Sequence, residues 1–98
     1  MFEWDDQKEQ SNILKHGISF EEAKQVFQDP KLVTVIDDRF DYGEIRSISL
    51  GQLLLPEQPL LIALVVHTNR EGKIRIISAR KASRKERKLY ERQAPIQP

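Results

Sequence analysis

One uninterrupted apolar run, from Leu60 to Val66, constrains the fold of this chain more than any other part of its sequence. The run is far too short to span a membrane as a helix. A short, continuously apolar run of this length is typical of a strand in the middle of a sheet. We therefore expect the run to form the central strand of a sheet.

Three other segments surround the apolar run and have the features of strands. One is apolar and β-branched, one alternates isoleucine and leucine with polar residues, and one follows the short turn sequence "NREG". These segments are Leu32 to Ile36, Ile45 to Leu50, and Lys73 to Ala79. Near the start of the chain, Phe2, Glu3 and Trp4 alternate as a short edge strand would.

Capping signals predict three helices. The carboxylates of Asp5 and Asp6 can cap the start of the first helix, and Gly17 can take the left-handed conformation that ends it. A serine followed three residues later by a glutamate, which is the pattern of a capping box, marks the start of each of the other two. The predicted helices run from about Gln7 to His16, from Ser19 to the Asp29-Pro30 pair, and from Arg84 to about Arg92.

The order of these elements predicts an α+β fold. An antiparallel sheet of about four strands, with a short N-terminal edge strand, would pack its apolar face against the two N-terminal helices, and a C-terminal helix would follow. A chain of 98 residues suits one domain, which we expect to cover residues 1–93. Residues 94–98, "APIQP", have the composition of a disordered end.

The composition argues against several classes of site. The chain has no cysteine, so neither a disulfide framework nor a thiolate site can form. Its two histidines lack a short-spaced ligand motif, and its four glycines are scattered singly, which predicts neither a metal site nor a Gly-rich phosphate loop. We therefore expect no metal and no cofactor, and a reducing, cytoplasmic location.

Charge is divided unevenly along the chain, although the net charge is only +1. Residues 1–69 contain six Lys and Arg against twelve Asp and Glu, whereas residues 70–98 contain ten against three. The net charges of the two parts are therefore −6 and +7. The acidic part could neutralise the basic part within the fold, or the basic part could face phosphate or an acidic protein partner.

A cationic set with a few hydroxyls and imidazoles remains, and it suits the cleavage of RNA, whose own 2′-hydroxyl can act as the nucleophile. His67 and Thr68 lie where the central strand ends, within reach of solvent. Alternation along the last strand predicts that Arg80 shares a face with Ile74, Ile76 and Ser78, and that Arg75 lies on the other face with Ile77 and Ala79. An arginine beside isoleucines must extend to the sheet margin or meet a carboxylate or phosphate.

Two helix segments carry further candidates. Lys15 and His16 end the first helix, where the helix dipole favours cations, and they are also the cationic or proton-transferring groups of the front half that lie beside a turn. The last helix can present Arg84 and Arg87 on one side, either as a solvated face or as a surface for phosphate. Tyr90 could be a core anchor, a stacking platform for a base, or a donor to a phosphate.

Taken in order, the motifs of this sequence resemble the BrnT family of toxins from bacterial type II toxin-antitoxin systems. The matching pieces are "FEWDDQK", Asn12, "KHGISFEEAKQVFQDP", Asp37, "GEIRSISLG", "VVHTNREGKIRIISARKAS" and "ERKLYE". They cover nearly the whole chain. The resemblance implies a RelE-like ribonuclease fold that cuts RNA without a metal and arrests growth by stopping translation. It also implies a BrnA-like antitoxin, which would bind the toxin and carry a DNA-binding domain that represses their shared operon.

The resemblance also implies a set of site residues. They are Lys15, His16, Arg46, His67, Thr68, Arg80 and Tyr90, which are expected to be catalytic, and Arg70, which is expected to bind RNA. The charge of the basic segment adds Arg75, Lys81, Arg84 and Arg87 as expected RNA-binding residues. Chemistry suggests their roles: Arg80 and Arg46 would hold the scissile phosphate, His67 would move a proton, and Thr68 or Tyr90 would orient these groups. We therefore expect the two guanidiniums to converge beside the His67 imidazole in one pocket.

Two other functions fit the same residues. The chain could be a binding module without catalysis, whose basic last helix grips nucleic acid or an acidic antitoxin segment. The last helix could instead read DNA directly, but it is short and no helix-turn-helix pattern precedes it. Incubation of the purified protein with RNA in the presence of a chelator separates cleavage from binding alone.

Overall fold

A computed structural model of the chain describes residues 1–38 and 43–93, without the side chain of Gln93. The predicted α+β fold is confirmed. In chain order the elements are β1 (Phe2–Glu3), α1 (Asp6–His16), α2 (Phe20–Ala23), a 3-10 helix (Lys24–Gln28), β2 (Val33–Asp37), β3 (Arg46–Leu53), β4 (Leu61–Arg70), β5 (Lys73–Lys81) and α3 (Arg84–Gln93). The predicted disordered end, residues 94–98, and part of the loop after β2, residues 39–42, lie outside the described residues. No helix in the described ranges is long and apolar enough to cross a membrane.

The strands form one sheet in the order β1-β5-β4-β3-β2, so the apolar run lies in the central strand, as predicted. β2, β3, β4 and β5 pair with one another in antiparallel fashion. β1 is the predicted N-terminal edge strand, and it runs parallel to β5, so the sheet as a whole is mixed. A parallel pair needs a long connection, and all the elements between β1 and β5 supply it.

The predicted caps of the first two helices are confirmed. The Asp5 carboxylate accepts hydrogen bonds from the backbone N–H groups at the start of α1, and Gly17 ends α1 with a φ of 72°. Ser19 and Glu22 form the capping box of α2. The second helix is shorter than predicted, because after Ala23 the chain tightens into the 3-10 helix that packs on β3.

Gly51 of β3 lies directly under the 3-10 helix, where there is no room for a larger side chain. A Cβ atom at position 51 would lie 2.7 Å from the Val26 carbonyl oxygen and 2.9 Å from Val26 Cγ1. We expect Gly51→Ala to lower the free energy of unfolding by about 1–3 kcal/mol, because the 3-10 helix must move away from the sheet. Urea denaturation measures the change. Leu54→Ala, at an exposed position beyond the end of β3, is the control, and equal stabilities for both variants would contradict the close contact.

Helices cover parts of both faces of the sheet, whereas one covered apolar face was expected. The face that we call the α2 face includes Val65 of β4 and packs against Phe20 of α2. The opposite face, which we call the α3 face, includes Leu64 of β4 and packs against Tyr90 of α3. Residues Leu61 to Val66 of the central strand are all apolar because this part of β4 meets a hydrophobic cluster on each side.

A β-bulge interrupts the pairing of β4 with β5. Val66 pairs with Ser78 and His67 pairs with Ile76, so Ile77 has no partner on β4. An extra residue of this kind reverses the face on which every following side chain lies.

The bulge makes the predicted alternation of β5 wrong. Ile76 and Ala79 both belong to the cluster on the α2 face. Ser78 and Arg80 lie on the α3 face, because they pair with Val66 and Leu64. Arg75 pairs with Thr68, on the same side of the sheet as Val66. Arg75 and Arg80, which were expected on opposite faces, therefore share the α3 face.

The buried side chain of Asn12 joins α1 to the edge of β5. Its amide nitrogen donates to the carbonyl oxygens of Ile18 (2.9 Å) and Ala79 (2.8 Å), and its amide oxygen accepts from the Ala79 N–H (3.1 Å). β1 pairs only with Ile74 and Arg75, so this part of β5 lies beyond its reach. Asn12 thus satisfies two edge groups that pair with no strand among the described residues.

Candidate functional site

His67 lies on the α2 face and is buried, with 8% of its surface exposed. Its Nε2 atom is 2.7 Å from Ser49 Oγ, and its ring meets the Phe27 ring edge-on at 4.9 Å. Burial lowers the pKa of His67, because the charged imidazolium loses its hydration there. Its Nδ1 atom is buried without a hydrogen-bond partner among the described residues. His67 is therefore a neutral, enclosed side chain.

Arg80 is bound by a carboxylate of the same chain. Its guanidinium donates to both carboxylate oxygens of Glu86 at 2.9 Å and also to the Lys81 carbonyl oxygen at 3.2 Å. These bonds, with the backbone N–H of Ser83, hold the pKa of Glu86 at about 2. Ser83 and Glu86 also form the predicted capping box of α3. One carboxylate thus caps α3 and neutralises Arg80.

Arg46, Thr68 and Arg75 belong to a polar row that crosses the α3 face. Arg46 Nε donates to Glu44 at 3.0 Å, and Arg75 donates to Glu3 at 3.2 Å. The Thr68 hydroxyl donates to the Ile45 carbonyl oxygen. Each of the three is bonded within the fold.

The structure does not bring Arg80, Arg46 and His67 into one pocket, so the predicted convergence is wrong. The two arginines share the α3 face, whereas His67 lies on the α2 face. Arg80 is level with Leu50, which is four residues along β3 from Arg46, or about 13 Å at the usual rise of a strand. The sequence could not reveal this separation, because it depends on the bulge and on strand register.

Tyr90 anchors α3 to the corner between the 3-10 helix and β2. It is 5% exposed, and its hydroxyl donates to the Asp29 carboxylate. Asp29 also accepts from the backbone N–H groups of Lys31 (2.8 Å) and Gln52 (2.9 Å). Burial and the Asp29 carboxylate raise the pKa of Tyr90 to about 12, so the phenol keeps its proton. Of the three roles considered for Tyr90, the position is that of the core anchor.

The other predicted RNA-binding residues lie at the surface. Arg70 is exposed at the end of β4, Lys81 at the end of β5, and Arg84 and Arg87 on α3. None of these four has an ion-pair partner in the part of the chain that the structure describes. They remain open to an external anion.

Lys15 and His16 line a cavity of about 180 Å³ between α1 and β5, which we call the α1–β5 trough. The trough is formed by Lys8, Ser11, Asn12, Lys15 and His16 of α1 and by Ile77 and Ser78 of β5. It lies at the β-bulge, because Ile77 is the residue without a partner on β4. The α1 residues form one stripe of the helix, since they recur at intervals of three and four.

The trough is cationic. Its lining contains two lysines, a histidine and two serines, and it contains no carboxylate. None of these five side chains has a hydrogen-bond or ion-pair partner within the described ranges. Such a lining attracts an anion and can donate several hydrogen bonds to it.

Three trough residues, Lys8, Ser11 and Ser78, were not predicted from the sequence to be site residues. The stripe of α1 was visible as a spacing in the sequence, since Lys8, Ser11 and Lys15 recur at helical intervals. The contribution of Ser78 was not visible, because only the tertiary contact of α1 with β5 brings it there.

A second cavity, of about 360 Å³, lies between the start of β3 and the end of β4. It is lined by Glu44, Ile45, Ser47, His67, Thr68 and Asn69. The His67 imidazole is enclosed and bonded to Ser49, whereas His16 is exposed in the trough. The trough therefore provides the more accessible group for proton transfer.

No group of three or more His, Asp or Glu side chains that could hold a metal ion occurs among residues 1–38 and 43–93. The trough offers ammonium, imidazole and hydroxyl groups rather than the carboxylates that hard divalent cations prefer.

Comparison with known proteins supports the resemblance found in the motifs. A search of curated proteins finds no match to the chain. The profile of the family described as "Ribonuclease toxin, BrnT, of type II toxin-antitoxin system" matches residues 4–86. This range includes every residue that lines the trough, and it includes Arg46, Thr68 and Arg75 of the polar row on the α3 face. A toxin of this type has an antitoxin as its partner. The chain belongs to the BrnT family of ribonuclease toxins of type II toxin-antitoxin systems.

Proposed function

We propose that this toxin is an endoribonuclease that cuts RNA without a metal ion, at the α1–β5 trough. The observation that supports this site most strongly is the exposed imidazole of His16, which lies beside Lys15 in a trough that no carboxylate lines. A phosphate can enter such a site without repulsion, and an imidazole can carry a proton near neutral pH.

The reaction that fits these groups is an internal transesterification. The 2′-hydroxyl oxygen of the RNA attacks the neighbouring phosphorus, the bond from phosphorus to the 5′-oxygen breaks, and a 2′,3′-cyclic phosphate remains. One proton leaves the 2′-hydroxyl and one is added to the departing 5′-oxygen, and His16 is the proposed carrier. The Lys15 ammonium stabilises the negative charge that develops on the phosphoryl oxygens.

The other predicted catalytic residues take different roles in this proposal. His67, Thr68 and Tyr90 stabilise the fold, because each is bonded inside it. Arg46 remains part of the polar row on the α3 face. Arg80 can bind a phosphate only if the phosphate displaces the Glu86 carboxylate from its guanidinium. Two phosphate oxygens can accept the same pair of hydrogen bonds as the two carboxylate oxygens.

A cleavage assay in the presence of a chelator tests the reaction. We expect the purified toxin to cut RNA in EDTA and to leave 2′,3′-cyclic phosphate ends, because the nucleophile and the cations are supplied by RNA and protein. Mass spectrometry of the fragments identifies the ends. Cleavage that appears only after Mg²⁺ is added would contradict metal independence, and an RNA substrate with 2′-deoxy nucleotides serves as the uncut control.

A second candidate function is binding without cleavage. It is favoured by α3, which exposes Arg84, Lys85, Arg87, Lys88 and Arg92. Such a helix could grip RNA or an acidic segment of the antitoxin. In the same EDTA assay, a binding module would shift RNA in a gel and leave it intact.

The partners follow from the proposed reaction and the family. We propose that a BrnA-like antitoxin neutralises the toxin in a hetero-oligomer, and that its DNA-binding part represses the operon that encodes both. RNA cleavage would stop translation and growth, which places the activity in the cytoplasm. Co-expression with the neighbouring small reading frame tests the pairing, since a true antitoxin restores growth.

A further inference from the structure

The proposed reaction uses one end of the α1–β5 trough, and the other end also carries a cation. Lys15 and His16 lie in the last turn of α1, whereas Lys8 lies near its start. Lys15 follows Lys8 by seven positions, which is about 10.5 Å along a helix axis. A phosphate that is held beside His16 therefore leaves the region around Lys8 available to a second anion.

Two hydroxyl groups lie between the cations. Ser11 is one turn after Lys8 on the same stripe of α1. Ser78 lines the same trough from β5, and it is held close to α1 because the next residue, Ala79, is bound through both backbone groups by Asn12. Neither serine side chain has a hydrogen-bond partner among the described residues. Besides Lys15 and His16, the trough thus offers one further charge and two neutral donors.

We propose that Lys8, Ser11 and Ser78 form a second phosphate seat, which binds the phosphate next to the scissile one in a single RNA strand. The inference rests on the proposed function, since His16 marks the position of the scissile phosphate. An ammonium and two hydroxyls match the oxygens of a phosphodiester, and they make no demand on the base. The seat therefore positions the strand along α1 without selecting its sequence.

Binding of a DNA oligonucleotide tests the seat, because DNA lacks the 2′-hydroxyl and stays intact. We expect Lys8→Gln to weaken binding about fivefold. The slope of log K against log salt should also fall by about 0.7, since one phosphate contact is lost from a single strand. Ser78→Ala should weaken binding by about threefold and leave the salt slope unchanged, because it removes a neutral donor. Fluorescence anisotropy over a range of salt concentrations measures both quantities.

Lys31→Gln is the matched control, because it removes the same charge from an exposed lysine that does not line the trough. Thermal unfolding of each variant shows whether it is folded. Lys8→Gln and Ser78→Ala variants that bind like Lys31→Gln, with the salt slope of the parent, would overturn the second seat. If the parent fails to cut RNA but Lys8→Gln still loses affinity and slope, the seat stands and the proposed reaction fails.

Discussion

Replacement of His16 by asparagine is expected to lower the rate of RNA cleavage by about a hundredfold or more, because asparagine cannot carry a proton. His16 is exposed in the last turn of α1, so the variant should keep its fold. The change in helix stability from loss of the imidazole should stay within about 1 kcal/mol. Single-turnover cleavage of RNA in EDTA measures the rate.

His67→Gln is the informative comparison, because His67 was the proton carrier expected from the sequence. In the structure its imidazole is enclosed by Ser49 and Phe27, so we expect its replacement to lower stability more than the His16 substitution does. A folded His16→Asn variant that cuts RNA at the parental rate would contradict the proposed site. A folded His67→Gln variant that no longer cleaves RNA would indicate that His67, and not His16, transfers the proton.

The Asn12→Ala variant is expected to lose about 3 kcal/mol of unfolding free energy, the largest stability change that we predict. It removes three hydrogen bonds and leaves the backbone groups of Ala79 and the Ile18 carbonyl without that partner in a buried place. Each buried polar group without a partner costs about 1–3 kcal/mol, although water can enter and reduce the total. For a domain of this size the melting temperature should fall by roughly 10–20 °C.

Two further variants define the origin of the Asn12 effect. Ser11→Ala changes the exposed neighbouring residue on α1 and should alter stability by less than about 0.5 kcal/mol. Asn12→Asp keeps an acceptor for the Ala79 N–H but loses the two donors, so it should also destabilise the fold. An Asn12→Ala variant as stable as Ser11→Ala would show that the three bonds contribute little.

Local signals in the sequence predicted the elements well. The Asp5 cap, the Gly17 stop and both capping boxes involve residues within a few positions of one another, so a short pattern contains the whole interaction. The "NREG" turn is equally local: Arg70 pairs with Lys73, and the two residues between them have positive φ angles. The apolar run is also a local pattern, contained in one short segment, and it correctly predicted the central strand.

Interactions between distant segments were not predictable in this way. The bulge at Ile77 depends on the register of two strands, and one extra residue reversed the face of Arg80. Arg75 meets Glu3 across 72 positions of sequence, and Asn12 meets Ala79 across 67. In the sequence, Arg46, Arg75 and Arg80 looked available to bind phosphate. In the fold, each of them forms an ion pair with a carboxylate of the same chain.

The candidate site was predicted in part. Lys15 and His16 were selected beside a turn, and they line the trough. The remainder of the trough comes from a stripe of α1 that looks like a solvated helix surface, and from Ser78 on another element. A contact between a helix and a strand edge, rather than a motif, assembles the site.

The hydrogen bonds of Asn12 have a consequence for cells that become resistant to the toxin, because they hold the fold together. The same side chain that fastens α1 to β5 also lies in the floor of the trough. Cells that survive expression of the toxin would therefore include some that carry a substitution of Asn12. Such a substitution removes no contact with RNA but weakens the attachment of α1 to β5. These variants would show which contacts the fold depends on most. Measurement of the amount of folded toxin in the cells is needed to distinguish them from variants that have lost catalysis.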